Sequence, residues 1–390
     1  MIELEEALNI LKSIAISPKT EELTLVKARG RIIAEDVYSD INMPPFNKSA
    51  MDGYACRKED LDQPLKVVDY IPAGSLPKKE ITRGECSQIM TGAKIPEGAD
   101  CVIMVEHTKK TGDGMIEFLR ESTKSNICTL GEDVQKGDKV IEKGAIVNPA
   151  VIATAASFGK SVLRVFSPPR IALIATGDEL VEINETPSGP SIRNSNSYNL
   201  MAQIEQCGSA VNYLGIVPDD EKKLKKAILK AFEKHDILIL TGGVSMGEKD
   251  YVPEILEELG LKLMYDKLAI QPGKPTTFAC GDDKFCFGLS GNPVSSMLQF
   301  ELTAKPFIYY FMCYKYQLPF VKMKLSKEKK RKKTDRMQFF PVQIENGEAM
   351  ALEFHGSAHI TGLIKATGFG IFDIGKDTIE EGEEIDVLLL

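Results

Sequence analysis

Hydrophobic and polar positions recur along this chain with different periods, and the changes of period divide it. Leu4, Leu8 and Leu11 fall at helical spacing, so residues 1–14 predict an amphipathic helix. From about Ile32 to Ile146 the apolar residues come in short runs broken by Gly, Pro and Asp, a β-like pattern. Cys101–Thr108 and Met115–Leu119, joined across TGDG, predict a hairpin. Pro149–Ser157 returns to helical spacing, and SPPR at 167–170 reads as a linker.

Past the linker the rhythm becomes strand, loop, helix. Ile171–Ala175 is a nearly continuous apolar run, as expected of a strand buried on both faces. A helix is predicted from about Ser197 to Cys207, ended by Gly208, and Val211–Val217 is the next strand. Asp219 or Asp220 then caps a helix with Leu224, Ala227, Ile228 and Phe232 on one face. Ile237–Leu240, a helix ending at Gly260, Phe285–Leu289 and a helix from Pro293 complete the alternation. Repeated βα units imply a three-layer, mostly parallel α/β domain over about 166–318. In the last part, Phe339–Ile344 and Ala349–Phe354 flank Asn346-Gly347, a hairpin signal, and the short strands that follow predict an all-β barrel or sandwich.

Composition narrows the function classes. The 390 residues are 43% hydrophobic and 27% charged, which is globular rather than disordered. The net charge of −8 argues against a general nucleic-acid binder. The one basic run, KMKLSKEKKRKK at 322–333, sits where the α/β domain ends, which favours a solvated linker or edge strand over a nucleic-acid arm. No apolar run reaches the roughly 18 residues of a membrane helix, and the acidic start lacks the features of a secretory signal. Eight cysteines with no CxxC pair read as buried small hydrophobes of a cytoplasmic protein.

The chemistry falls in loops at predicted strand ends, where α/β sheets bind ligands. Thr176-Gly177-Asp178-Glu179 is either a tight turn before a helix or a pair of carboxylates for Mg²⁺ or a ligand hydroxyl. In TGGVSMGEKDY, Gly242 and Gly243 let backbone N–H groups approach a phosphate and Ser245 adds a hydroxyl, while Asp250 is equally an N-cap. In GLSGNPVSS, Asn292 suits the cap and Pro293 the first helical position, so the N–H groups of Val294, Ser295 and Ser296 are expected to face an oxyanion. Just before it, Pro272 and Gly273 of QPGKP hold Lys274 on a stiff turn, either an anion contact or an incidental lysine of a crossover loop. Among the early strands, PPFNKSAMDGYA carries Ser49 and Asp52, and MTGAKIPEGAD carries Thr91.

These segments, with GEDVQKGD and ATGDEL, occur in an order and spacing that resembles the molybdopterin molybdenumtransferase family, which includes the E domain of gephyrin. The resemblance spans nearly the whole chain and is loosest in the last domain. It implies a split linker domain (1–39 with 137–165), an inserted β domain (40–136), an α/β core like that of molybdopterin adenylyltransferases (166–318) and a C-terminal β-barrel (319–390). It also implies a homodimer whose inserted domain faces the core of the other subunit. The implied reaction inserts molybdate into adenylylated molybdopterin and releases AMP with Mg²⁺. Carried over by motif, Asp52 and Thr91 come from the inserted domain with Asp133 nearby. Glu179, Asp219 and Asp250 handle Mg²⁺ and the adenylate, with Glu179 and Asp250 as ligands. Lys274 and Ser295 hold molybdate, and Arg336 of DRMQFF matches an arginine contributed by the last domain. The resemblance also suggests contact with a molybdopterin adenylyltransferase.

Two positions depart from the family pattern. Gln271 stands where many members have a second lysine before PGKP, and Ser290 stands where LPGNP has its first proline. Rival readings are an adenylyltransferase, disfavoured by the extra domains; a scaffold or binding protein; and an inactive paralogue that stores the intermediate.

Overall fold

The computed structural model describes residues 1–243, 251–354 and 356–390. They group into one unit of residues 1–23, 30–34 and 164–390, and a second of 24–29 and 35–163.

The first unit is built on a six-stranded sheet. Ile171–Thr176, buried along its whole length, lies between Val211–Val217 and Ile237–Thr241, both parallel to it. Lys284–Leu289 extends the parallel set beyond Ile237–Thr241. Alternate residues of the central strand face opposite sides: Ala172 and Ile174 pack with Leu224 and Ile228 of the Glu221–Lys234 helix. Ile171 and Leu173 pack with Leu200 and Ile204 of the Ser195–Gln206 helix. Side chains that leave a strand on opposite faces thus give the three layers. The N-terminal helix, Leu4–Ser13, adds Leu4, Ala7 and Leu11 to the second of these clusters.

Two further strands escape the sequence pattern because Pro, Gly, Lys and Asp interrupt it. Pro275–Gly281 runs antiparallel to Lys284–Leu289, and Lys262–Lys267 antiparallel to Pro275–Gly281. Two reversals bring Lys262–Lys267 back into the direction of the parallel set. The connection 268–274, with its Pro-Gly-Lys-Pro turn, therefore emerges at the carboxyl ends of the parallel strands.

Helix boundaries shift for local reasons. Asn194, not Ser197, starts its helix, because its side chain accepts the Ser197 N–H at 3.2 Å. Of the two candidate caps, Asp220 is the one used, accepting the Lys223 N–H at 2.9 Å. Asp220→Ala is expected to cost about 1 kcal/mol of stability, read as a lower urea midpoint at unchanged slope. The helix from Pro293 widens into a π turn at Phe300–Ala304 before continuing through Lys305–Phe311. That widening precedes Pro306, which has no N–H for the Leu302 carbonyl.

The last strands close on themselves. Met337–Glu345 pairs with Glu348–Ala351 on one side and Gly368–Phe372 on the other, and Phe320–Leu325 and Glu384–Leu389 complete the ring. Asn346 and Gly347 turn the hairpin with φ of 52° and 82°, as a type I′ turn demands. The first part of the basic run is neither a linker nor an edge. Phe320–Leu325 has neighbours on both sides, and Lys322 lies opposite Asp386, 3.0 Å away. Cross-strand carboxylates offset its charge.

The second unit carries its own six-stranded sheet, in the order Cys101–Met104, Gly53–Cys56, Glu85–Ile89, Leu65–Ile71, Met115–Phe118, Thr108–Gly112. The TGDG hairpin holds for 108–118 alone. A 3-10 turn at Val105–His107 separates Cys101–Met104, which pairs with Gly53–Cys56 at the opposite edge. All eight cysteines are free; five are buried, and Cys313 is exposed.

Candidate functional site

A cavity of about 860 Å³ opens at the carboxyl ends of Ile171–Thr176, Ile237–Thr241 and Lys284–Leu289. Its floor is made of close backbone approaches. Gly242 has a φ of 93°, and a Cβ there would overlap the Thr176 carbonyl oxygen. A Cβ on Gly243, at φ 63°, would meet the Thr176 methyl at 2.9 Å. Only glycine fits such contacts at positive φ. Gly242 also donates its N–H to the Leu289 carbonyl at 3.0 Å, joining two strand ends.

One side of the cavity is acidic. Asp219 accepts the Thr176 hydroxyl at 2.6 Å, and Glu179 folds over Gly177. Asp178 turns to a structural task, accepting the Asp219 N–H at 3.1 Å, and is absent from the lining. Asp250 and Ser245 lie outside the described residues. Among the described residues no three His, Cys, Asp or Glu side chains cluster as a metal cage.

The other side carries Lys274 and Arg336. Lys274, with Pro272 and Gly273, lines the cavity from its turn, whose ends are tied by the Leu268 N–H to the Lys274 carbonyl at 2.9 Å. Ile270–Gln271 pairs with Met337–Gln338 of the barrel, and Arg336 donates to the Ile270 carbonyl at 3.2 Å. This pairing places Arg336 on the cavity wall beside the lysine turn.

Asn292, Pro293 and Ser295 also line the cavity, but the expected row of outward amides is reduced. The Val294 N–H goes to the Ser357 carbonyl at 3.0 Å and the Ser296 N–H to the Asn292 carbonyl at 2.9 Å. Asn292 occupies the cap position without a side-chain cap bond. Of the three amides, that of Ser295 has no partner among the described residues.

Four candidates belong to the second unit. Asp52 accepts both the backbone N–H and the hydroxyl of Thr91, at 2.6 and 2.7 Å. Those bonds, the backbone one first, hold its carboxyl below the usual aspartate range. The carboxylate is therefore fixed and charged at neutral pH. Ser49 is buried and donates to the Met51 carbonyl at 2.5 Å, a loop-shaping role. Asp133 is solvent-exposed in a bend.

The sequence pattern missed the start of the Ser195–Gln206 helix. Asn196 lines the cavity and donates to the Thr241 hydroxyl at 3.0 Å and the Gly291 carbonyl at 2.8 Å. Arg193 and the 356–358 loop line it too. The NSNS run ahead of a helix was the available signal for Asn196; nothing marked the loop.

Family models match the chain in three blocks: MoeA N-terminal region (domain I and II) over 2–159, probable molybdopterin binding domain over 172–310, and MoeA C-terminal region (domain IV) over 325–390. A molybdopterin molybdenumtransferase of Bacillus subtilis is 34% identical over 404 aligned residues, covering 100% of this chain and 94% of that protein. One from Staphylococcus epidermidis is 38% identical over 314, covering 78% of this chain and 74% of its own. A solved molybdopterin biosynthesis MoeA protein of Pyrococcus horikoshii OT3 superposes with a TM-score of 0.87 at 30% identity, each chain covered in full.

Proposed function

Because the chain belongs to the molybdopterin molybdenumtransferase (MoeA) family, an enzyme family of molybdenum cofactor biosynthesis, we propose that the cavity is where its transfer reaction occurs. Its substrates are adenylylated molybdopterin and molybdate, and AMP leaves as the metal enters the dithiolene. The supporting observation is one cavity lined by two carboxylates, Glu179 and Asp219, and three cations, Arg193, Lys274 and Arg336.

The carboxylates suit Mg²⁺. That ion takes one or two protein carboxylates plus substrate phosphates and keeps several waters, so a full protein cage is not needed. Glu179 and Asp219, with Asp250 as the family pattern implies, would hold it, and when bound it supplies positive charge at the pyrophosphate oxygens. The chain's own residues do the rest. Gly242 and Gly243 allow the backbone to approach a phosphate, and Asp219 is oriented by Thr176. Lys274, Arg336 and the Ser295 amide take the tetrahedral molybdate. Chelation followed by dialysis is expected to reduce AMP release about a hundredfold, with recovery on Mg²⁺ and none on Na⁺.

Two copies are proposed to associate, with Asp52 and Thr91 of one serving the cavity of the other. The four-domain division, a cytoplasmic setting and contact with a molybdopterin adenylyltransferase are proposed alongside. No described helix is long and apolar enough to cross a membrane. The deciding experiment supplies purified protein with adenylylated molybdopterin, molybdate and Mg²⁺. AMP and a cofactor able to reconstitute a molybdoenzyme are the expected products; release of neither would sink the proposal.

A further inference from the structure

Behind the cavity wall, one side chain connects both segments assigned to the oxyanion. Gln299 is fully buried, on the helix that starts at Pro293. Its Nε2 lies 2.8 Å from the Gly273 carbonyl oxygen, 2.5 Å from that of Pro275 and 2.8 Å from the Thr276 hydroxyl. Its Oε1 accepts the Ser290 N–H at 2.7 Å. The orientation of the amide is settled by its partners, since the two carbonyls only accept and the Ser290 amide only donates. The fit is close: a Cβ on Gly273 would meet the Gln299 Cγ at 3.0 Å.

The bond to Ser290 depends on a departure from the family motif. A proline at 290, where LPGNP has its first proline, would have no N–H to give. Ser290 gains that donor, and its hydroxyl accepts the Asn292 N–H at 3.2 Å. Hydrogen bonds here do what a pyrrolidine ring does elsewhere in the family. They also couple the loop to the lysine turn, which a proline ring could not do through its own nitrogen.

We infer that Gln299 is a positioning residue for the oxyanion substrate, holding the Lys274 turn and the Ser290–Asn292 loop in one fixed relation. The inference deepens the proposed function and rests on Lys274 contacting molybdate. Lys274 itself is exposed and long, so its useful placement depends on the backbone that carries it. Gly273, Pro275 and Thr276 flank it on both sides, and all three are held by the one amide. Buried amides with every partner satisfied rigidify their surroundings, and losing one strands several polar groups together.

The test is a double-mutant cycle on the full-length enzyme, reading KM for molybdate and kcat for AMP release. Gln299→Met keeps the length and removes every bond. It is expected to raise KM for molybdate about tenfold with kcat within about twofold of the parent. Lys274→Ala should raise KM by at least as much, and the double variant should match Lys274→Ala alone, because a misplaced lysine and an absent one are equivalent. Effects that multiply, or a Gln299→Met that lowers only the melting temperature, overturn the inference and leave Lys274's role standing. An unchanged KM in Lys274→Ala overturns that role and the inference with it. Should Gln299→Met fail to fold, Ser290→Pro removes the loop-side bond together with the hydroxyl that accepts the Asn292 N–H, and Gln299→Glu keeps the loop-side bond while losing the turn-side donors. Both are expected to raise KM by a smaller factor, in neither case beyond the effect of Lys274→Ala; a parental KM in both overturns the inference.

Discussion

Asp52→Ala is expected to fold like the parent and to release AMP two to three orders of magnitude more slowly, the size of loss seen when one fixed charge or donor leaves a transition state. The fold survives because Asp52 is exposed and its partners, the Thr91 amide and hydroxyl, return to water. The activity falls because the lost carboxylate was held in place and charged at neutral pH. Circular dichroism and a melting curve should match the parent while AMP, followed by chromatography, nearly vanishes. An unchanged rate would remove Asp52 from the site. A mixing experiment extends the test. If Asp52 of one copy serves the cavity of another, then with molybdate held well below the raised KM of Lys274→Ala both Asp52→Ala and Lys274→Ala turn over slowly, but equal amounts that exchange subunits should regain about a quarter of parental activity, since half of the dimers keep one intact site. No recovery after verified exchange would place both residues in the same copy's site.

Gly242→Ala should fail more broadly. The added methyl overlaps the Thr176 carbonyl oxygen, and at φ 93° an L side chain is strained before any overlap is counted. Thr176 cannot retreat, because its hydroxyl orients Asp219 and its strand is buried on both faces. The ends of the two strands must part, and the Gly242 N–H to Leu289 bond goes with them. A loss of roughly 3 kcal/mol in unfolding free energy is expected, together with nearly complete loss of AMP release. Gly30→Ala is the control: it shares a positive φ of 79° but has open space where its methyl would sit. It should cost about 1 kcal/mol and leave activity alone. Equal losses in the two variants would refute the steric account.

Much of the α/β core could be read from the chain because its strands are buried on both faces. Ile171–Ala175 and Ile237–Leu240 are apolar throughout, as strands buried on both faces must be. Pro275–Gly281 and Lys262–Lys267 were hidden because they lie on the reversed side of the sheet, where Lys, Asp and Pro are tolerated. Motif residues with a side-chain duty, such as Asp52 with Thr91 or Glu179 and Asp219 together, could be named from family resemblance. Their hydrogen bonds could not, since they depend on segments as far apart as 39 and 43 residues. The amides after Asn292 were overcounted for the same reason. Ser357, far along the chain, takes one of them. Gln299 was invisible, because a glutamine in an apolar helix says nothing of its partners until the fold supplies them.

The reversal at Lys262–Gly281 has a consequence for how this enzyme could change. The carboxylates stand on strand-to-helix connections, whose ends are committed to buried elements on both sides. Lys274 stands instead on a hairpin between two strands at one side of the sheet. Such a connection can exchange side chains without disturbing the parallel core, provided the backbone that Gln299 holds keeps its place. If Lys274 contacts the oxyanion as proposed, choice among oxyanions can drift in that turn while the acidic half of the cavity stays constant. Gln271, one residue before the turn's first proline, is a position where such an exchange would act.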